Sequence, residues 1–455
     1  MTEMELKNKR VLVVGLGKSG ISAAHFLRAQ GARVTVSDSR DAVALAGEIP
    51  ALLEAGIMVE TGGHGLLTFR RSDLIVISPG VPMDTPEVKQ VMSFGLPVIG
   101  ELELASRYLK GQVVAITGSN GKTTTTTLAG KILKAAGLAT LVGGNIGLPV
   151  IDLIAESTAE TWSVLEVSSF QLETVEEFHP KIAAVLNITP DHLDRHGSFE
   201  NYAAAKARIT ERQGAGDFLV LNGEDKATQM IAGKTAAQVF WFSGRRPIKQ
   251  GAFVHGESVL FVAKEGAKAE PILPVSEIPL KGAHNVENVL AAVCIARLAG
   301  VSAEVIRGAV RSFKAVEHRL EFVREVKGVA YYNDSKATNV DATMKAVASF
   351  DGGIHLILGG KDKDSDYTQL AELLKERVKV VYTIGSAAEK IERELHGVVK
   401  IKSAGTMQMA VQDAAAAAVA GDVVLLAPAC SSFDQFENYG HRGRVFRQLV
   451  NDLQD

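Results

Sequence analysis

Short apolar runs alternate along this chain with longer segments of mixed polarity, and glycines stand at many of the joins. Residues 10–14 read as a buried strand, 19–30 as a helix stopped by Gly31, and 33–37 as a second strand. Residues 74–77 repeat the strand signal and are closed by Ser78, Pro79 and Gly80. Such alternation predicts a small α/β unit with mostly parallel strands. The rhythm restarts near Gly111, with strands expected at 113–117, 163–167, 182–187 and 218–221. Helices are expected at 123–136, 202–211 and 284–299, the last stopped by Gly300. A third unit begins near Glu317, with strands at 329–333, 355–358, 378–384 and 423–427. The Ala-rich stretch 413–420 has high helix propensity and is expected to form a packed helix. No repeat of solenoid length is visible. The pattern therefore predicts an α/β protein of three domains.

Composition changes this picture little. The 455 residues are 46% hydrophobic and 22% charged, ordinary for a globular protein. A net charge of −3 gives no support for attraction to nucleic acid or membranes. Two cysteines, Cys294 and Cys430, make no disulfide framework. The N-terminus lacks a signal-peptide core, and no stretch approaches the ~20 apolar residues of a membrane helix. A cytoplasmic protein is expected.

Two glycine loops carry the chemistry. Gly15-Leu16-Gly17-Lys18-Ser19-Gly20 joins a strand to a helix, and Asp38 ends the next strand. This is the dinucleotide pattern, with the acidic residue near the offset that serves a ribose hydroxyl. On that ground alone a nicotinamide enzyme is the first reading, although any nucleoside diphosphate compound can use such a loop. The second loop follows the strand at 113–117: Thr117-Gly118-Ser119-Asn120-Gly121-Lys122-Thr123-Thr124. Only two residues separate Gly118 from Gly121, fewer than in the usual Walker pattern. Strand, Gly-Lys-Thr and helix coincide, which aims backbone N–H groups and a lysine at phosphates. Phosphoryl transfer needs Mg²⁺, hence ligands at nearby strand ends. Thr123 offers a hydroxyl, Glu166 ends an apolar strand, and His192 follows the next one.

Several further motifs occur in order: Gly-Gly-Asn-Ile-Gly (143–147), Glu-Val-Ser-Ser-Phe-Gln-Leu-Glu (166–173), Asp-His-Leu-Asp-Arg-His (191–196) and His-Asn-Val-Glu-Asn (284–288). With the second glycine loop they strongly resemble the Mur ligase family, ATP-dependent amino-acid ligases of peptidoglycan precursor synthesis. Asn-Asp-Ser-Lys-Ala-Thr-Asn (333–339) and Ser-Ser-Phe-Asp-Gln-Phe (431–436) resemble the branch that adds D-glutamate to UDP-N-acetylmuramoyl-L-alanine. The resemblance implies a Rossmann-like N-terminal domain (1–103), a central P-loop-type ATPase domain (104–315) and a Rossmann-like C-terminal domain (316–455).

The resemblance also reassigns the first loop to the UDP-linked acceptor. Gly15, Leu16, Gly17, Lys18, Ser19, Asp38, Ser39, Arg40, Ser78, Pro79, Gly80, Asn145 and His192 are its expected contacts. Ser39 keeps a hydroxyl where the family often has Thr. ATP is expected at Gly118, Ser119, Asn120, Gly121, Lys122, Thr123 and Thr124, with Asn285 and Asn288 near adenine and Arg319 and Asp334 reaching in from the third domain. Two Mg²⁺ ions are implied, held by Thr123, Glu166, His192 and a carbamate on Lys206. Lys122, His192 and Lys206 are the implied catalytic groups. D-Glutamate is expected at Lys336, Thr338, Lys363, Ser432 and Tyr439, the last of which is commonly Phe in the family. The implied protein is a monomer that neither enters a membrane nor binds nucleic acid. Another Mur-type or a folylpolyglutamate-type ligase is the near alternative, and an NAD-dependent dehydrogenase the distant one.

Overall fold

A computed structural model describes residues 4–314 and 316–454. The expected domain join at 315/316 therefore touches a position outside the described residues. Three sheets organise the chain. The first contains β1 (Arg10–Val14), β2 (Arg33–Asp38), β3 (Met58–Thr61), β4 (Leu74–Ile77) and β5 (Val98–Gly100), in the order β3-β2-β1-β4-β5. All its pairings are parallel. The order reverses beside β1, so a crevice opens at the carboxyl ends of β1 and β4. The first glycine loop lies there. Gly20 has no room for a side chain, because a Cβ would stand 1.9 Å from the Gly15 carbonyl oxygen.

The second sheet contains β6 (Gln112–Thr117), β7 (Thr140–Gly144), β8 (Trp162–Glu166), β9 (Ile182–Val185), β10 (Phe218–Asn222), β11 (Gln238–Ser243), β12 (Gly251–His255), β13 (Ser258–Val262) and β14 (Glu270–Pro274). Its order is β14-β13-β12-β11-β10-β9-β6-β8-β7. The strands from β7 to β12 are parallel, and β12, β13 and β14 add an antiparallel extension. Helices Lys122–Ala135 and Ala283–Leu298 pack on this sheet and bury Leu128, Ile132, Val289 and Val293.

The third sheet contains β15 (Glu321–Val326), β16 (Val329–Asn333), β17 (Ile354–Gly359), β18 (Val378–Ile384), β19 (Lys400–Gly405) and β20 (Val423–Leu426). Its order is β15-β16-β20-β17-β18-β19, with only β15 antiparallel.

Two helices depart from expectation. The helix expected at 202–211 runs Phe199–Ala207 and tightens into a 3₁₀ turn at Arg208–Thr210. Ser198 sets the start, its Oγ accepting the Asn201 N–H at 3.1 Å. The Ala-rich helix runs Met407–Ala417, capped by Thr406, and stops before Ala418. The chain must turn there to enter β20, and the Asp422 carboxylate accepts the Val419 N–H.

Candidate active site

The crevice of the first sheet is a cavity of about 500 Å³. Residues 15–19, 38–40, 78–80 and Asn145 all line it. Of the thirteen groups expected to meet the UDP-linked acceptor, only His192 lies elsewhere. Asp38 is itself engaged. Its two oxygens accept the Leu16 N–H (2.7 Å), the Arg40 N–H (2.9 Å) and the Arg40 guanidinium (3.0 and 2.8 Å). Burial opposes its ionisation, but these bonds prevail and hold its pKa at about 2. Residues 144–147, Pro149 and Gln171 of the central domain complete the wall, with His64 and Val81. Lys18 reaches across to the Gly147 carbonyl at 2.5 Å.

Asn145 joins this cavity to the second loop. Its Nδ2 donates to Glu166 Oε1 at 2.8 Å, and its backbone N–H to the Glu166 carbonyl at 2.8 Å. The other carboxylate oxygen of Glu166 accepts the Thr123 hydroxyl at 2.8 Å. Gly121 precedes the helix with φ +85, and a Cβ on it would lie 2.2 Å from Asn288 Oδ1. The Asn120 N–H donates to Asn187 Oδ1 at 2.8 Å, while Ser119 Oγ meets the Tyr202 hydroxyl at 3.0 Å. Lys122 folds back on its own loop and donates to the Gly118 and Ser119 carbonyls at 2.7 and 2.8 Å.

Positive charge is concentrated here. Lys336 comes from the third domain and places Nζ 2.5 Å from Thr123 Oγ1, above the Tyr439 ring at 5.1 Å. Burial and Arg319 push the Lys336 pKa down to about 7. Burial acts to raise the Glu166 carboxyl, but Lys336 and Lys122 hold it below its ordinary value. Thr123 and Glu166 are hard oxygen donors, and an ammonium already lies against them, so the pair suits Mg²⁺. Among the described residues no three His, Cys, Asp or Glu side chains gather into a self-sufficient metal cage.

Lys206 is 1% exposed. It lies over the Tyr202 ring at 4.5 Å and donates to the Gly118 carbonyl at 3.0 Å. Burial, helped by Lys122, drives its pKa well below the ordinary lysine value. His192 takes a left-handed backbone (φ 53) and stands 3.6 Å from the Asp191 carboxylate. Burial lowers its pKa to about 4, so the imidazole is neutral at pH 7 and free to ligate.

A second cleft unites both remaining expected groups of the ATP site. Asn120, Gly121, Thr124, Asn285, Asn288, Arg319 and Asp334 line it together, with His284 and Lys345. Burial raises the Asp334 pKa to about 6. The residues expected around D-glutamate do not share one cavity. Lys336 meets Thr123, and the Tyr439 ring lies beside the Lys336 Nζ, as above. Lys363 lies 3.3 Å from Asp191 in a cavity of about 160 Å³ that His192 also lines. Thr338 lies two residues after Lys336 on the same loop, and Ser432 is buried on the loop after β20.

Sequence reasoning passed over three supports. Asp341 accepts Asn120 Nδ2 (2.5 Å), Thr189 Oγ1 (3.3 Å) and Lys345 Nζ (2.8 Å), which ties the third domain to the second loop. Asp191 accepts Asn339 Nδ2 at 3.1 Å. Arg442 is wholly buried and donates to Ser335 Oγ and O and to the Cys430 and Ser431 carbonyls, binding the Lys336 loop to the Ser432 loop. No sequence motif marks it, because three of its four acceptors are backbone carbonyls.

Comparison with known proteins gives a single direction. The family model described as the Mur ligase middle domain matches residues 116–296. The Mur ligase MurD-like N-terminal domain matches 9–100, and the Mur ligase glutamate ligase domain matches 318–430. The chain is 68% identical over 447 residues to the UDP-N-acetylmuramoylalanine–D-glutamate ligase of Acidobacterium capsulatum, covering 98% of this chain and 97% of that one. It is 60% identical over 450 residues to the protein of the same name from Koribacter versatilis, with 99% of each chain covered. Among solved structures, a pseudomurein peptide ligase type C from Methanothermus fervidus superposes with a TM-score of 0.62 at 20% identity, over 98% of this chain and 100% of that one. The UDP-N-acetylmuramate–alanine ligase from Thermotoga maritima gives 0.61 at 17% identity, over 98% and 99%. At those identities the two structures speak for the fold alone.

Proposed function

The chain belongs to the Mur ligase family, and from that premise we propose that it joins D-glutamate to UDP-N-acetylmuramoyl-L-alanine, using ATP, in peptidoglycan precursor synthesis. It is a ligase that forms a C–N bond. The observation that carries the reading is Asn145, which lines the cavity for the UDP-linked acceptor and also holds Glu166 beside the phosphate loop. An acceptor seated in that cavity points its alanine carboxylate at the place where a γ-phosphate would lie.

A carboxylate is a poor acylating agent because it would have to expel oxide. Transfer of the γ-phosphoryl group makes an acyl phosphate. The amine of D-glutamate then attacks the carbonyl carbon, and phosphate leaves. In this reading the loop amides of 118–121 and Lys122 bind the phosphates, and Lys122 gives up its carbonyl partners to do so. Asn285 and Asn288 take the adenine side, and Arg319 and Asp334 close on the nucleotide from the third domain. Mg²⁺ held by Thr123 and Glu166 would neutralise charge on the phosphates. Lys336, Thr338, Lys363, Ser432 and Tyr439 are assigned to D-glutamate, whose two carboxylates need cations and hydroxyls once water is excluded.

Lys206 is assigned a carbamate. Its neutral amine would add to CO₂ and release a proton, and the resulting anion, with His192, would serve a second ion. Burial that disfavours the ammonium supports this, because only the free amine is nucleophilic. We place the domain joins at 103/104 and 315/316, and we take the working unit to be a cytoplasmic monomer. Among the described residues no helix is long and apolar enough to cross a membrane. A nicotinamide role for the first loop is set aside, since it leaves the phosphate loop and Glu166 without work.

The test is release of phosphate from ATP with a panel of UDP-muramoyl acceptors and amino acids. Release is expected only with UDP-N-acetylmuramoyl-L-alanine and D-glutamate together. Turnover with L-lysine or L-glutamate in place of D-glutamate would point to another ligase on this scaffold.

A further inference from the structure

We propose that Tyr367 is a positioning residue for D-glutamate, its buried hydroxyl tying the turn that carries Lys363 to the loop that carries Ser432. The inference rests on the assignment of Lys363 and Ser432 to D-glutamate. These two residues follow different strands, β17 and β20, so they keep a fixed spacing only where their loops are joined. Part of the join is backbone. The Lys361 N–H donates to the Ser431 carbonyl at 2.9 Å, and the Ser431 N–H to the Lys361 carbonyl at 3.1 Å. Ser431 Oγ donates to that same carbonyl at 3.0 Å. The bridge ends before Lys363, and the chain then turns, with Asp364 at φ 59. The Asp362 carboxylate accepts the Ser365 N–H at 3.1 Å, which closes the turn around Lys363 and Asp364. The aim of Lys363 therefore depends on how Asp362 is held.

Tyr367 holds it from inside the domain. The residue has no exposed surface, so it meets no substrate and acts only through its neighbours. Its hydroxyl lies 2.8 Å from Asp362 Oδ1 and 2.9 Å from Cys430 Sγ. A phenol has a single proton to give. The carboxylate is the stronger acceptor, so Tyr367 donates to Asp362, and the Cys430 thiol donates to the phenol oxygen. Burial pushes the Cys430 thiol up to about 12, so it keeps the proton that this arrangement needs. Lys390 Nζ takes the other Asp362 oxygen at 2.9 Å. Burial acts to raise the Asp362 carboxyl, but Lys390, Tyr367 and the Ser365 N–H hold it below its ordinary value. A chain of hydrogen bonds thus runs from Cys430, two residues before Ser432, through Tyr367 to Asp362, the residue before Lys363. Arg442 joins the Ser432 loop to the Lys336 loop, and Tyr367 extends that frame to Lys363.

The experiment measures the KM of each of the three substrates, and the unfolding midpoint, with the full chain in the wild type, Tyr367→Phe, Cys430→Ala and Cys430→Ser. Phe keeps the buried ring and removes only the hydroxyl. Tyr367→Phe and Cys430→Ala are each expected to raise the KM for D-glutamate about three- to tenfold, the worth of one hydrogen bond. The KM values for ATP and the UDP-linked acceptor, and kcat at saturating D-glutamate, should stay within about twofold of the wild type. Cys430→Ser keeps a donor beside the phenol and should leave the KM for D-glutamate within about twofold of the wild type. A merely structural role would lower the unfolding midpoint without separating the three KM values, which would overturn the inference. So would a Cys430→Ser variant as impaired as Cys430→Ala. If the wild type shows no turnover that depends on D-glutamate, the assignment of the pocket fails, and the role of Tyr367 fails with it.

Discussion

Asp38 is the clearest case at the scale of one residue of a side chain whose charge is built into a loop. Its folded pKa of about 2 lies below the ordinary 3.8 because Arg40 and the Leu16 amide bind the anion. A depressed carboxylate pKa stabilises the fold above the unfolded value, and that contribution is lost as pH falls through the folded one. The Arg40 partner is 46% exposed, so the full linkage energy is discounted to about 1 kcal/mol. Asp38→Asn should therefore be less stable than the wild type at pH 7 by about that amount. The gap should close as pH drops from about 4 to about 2. Urea unfolding at several pH values checks this, and a gap that is constant across the window would remove Arg40 as its cause. Two substitutions test the phosphate site. Lys122→Ala should lower ligation by on the order of a hundredfold or more while its unfolding midpoint stays near that of the wild type. Lys206→Ala should be nearly inactive and should regain part of its turnover with added acetate or formate, which restore an anion. Full activity without any additive would leave the carbamate no role.

Elements were legible wherever local signals agree. β1, β4, β16 and β18 run over the residues expected from their apolar runs. β3, β5, β7, β11 to β15 and β19 were missed; β3 and β19 are edge strands whose half-exposed or exposed faces carry no apolar run to read. The helix Phe199–Ala207 was misplaced by three residues at its start because Ser198, a capping residue, lies upstream of the apolar signal at Tyr202. That shift matters for chemistry, because it puts Lys206 in the last turn, buried against the phosphate loop instead of on a solvated face. Twelve of the thirteen residues expected to meet the UDP-linked acceptor line one cavity, so its walls were legible from the motifs. His64 escaped because a lone histidine after a weak edge strand has no spacing to mark it. Arg442 escaped for a different reason, since its value lies in joining two loops by their backbones. Arg442→Met should therefore loosen both loops together. Hydrogen exchange is expected to quicken at 335–338 and 430–432, and the KM for D-glutamate to rise more than that for ATP. Quickened exchange confined to the helix that bears Arg442 (Tyr439–Asn451) would show that it holds only its own element.

At the scale of the whole molecule, the third domain meets the second through polar contacts around the phosphate loop. Asp341 binds Asn120 and Thr189, Lys336 binds Thr123, and Asp191 receives Asn339 and Lys363. None of these was visible in the sequence, because each joins residues 148–221 positions apart whose encounter depends on how two finished domains dock. Polar domain interfaces of this kind permit relative motion, since each contact exchanges readily with water. Asp341 is the contact to test, as it holds two groups of the central domain and lies outside the assigned ligand sets. Removing it leaves Asn120 without its acceptor and Lys345 without its ion-pair partner, a loss of about 1–2 kcal/mol from the docked arrangement. Asp341→Ala should then populate opened molecules in the absence of ligand, seen as a larger radius of gyration in small-angle X-ray scattering. A non-hydrolysable ATP analogue with Mg²⁺ should draw the variant back to the wild-type dimension, because the nucleotide supplies a new bridge through Arg319. Part of its binding energy would be spent on closure, so the KM for ATP should rise about three- to tenfold while that for the UDP-linked acceptor stays put. An unchanged radius together with an unchanged KM would mean that Lys336 and Asp191 hold the domains without help from Asp341.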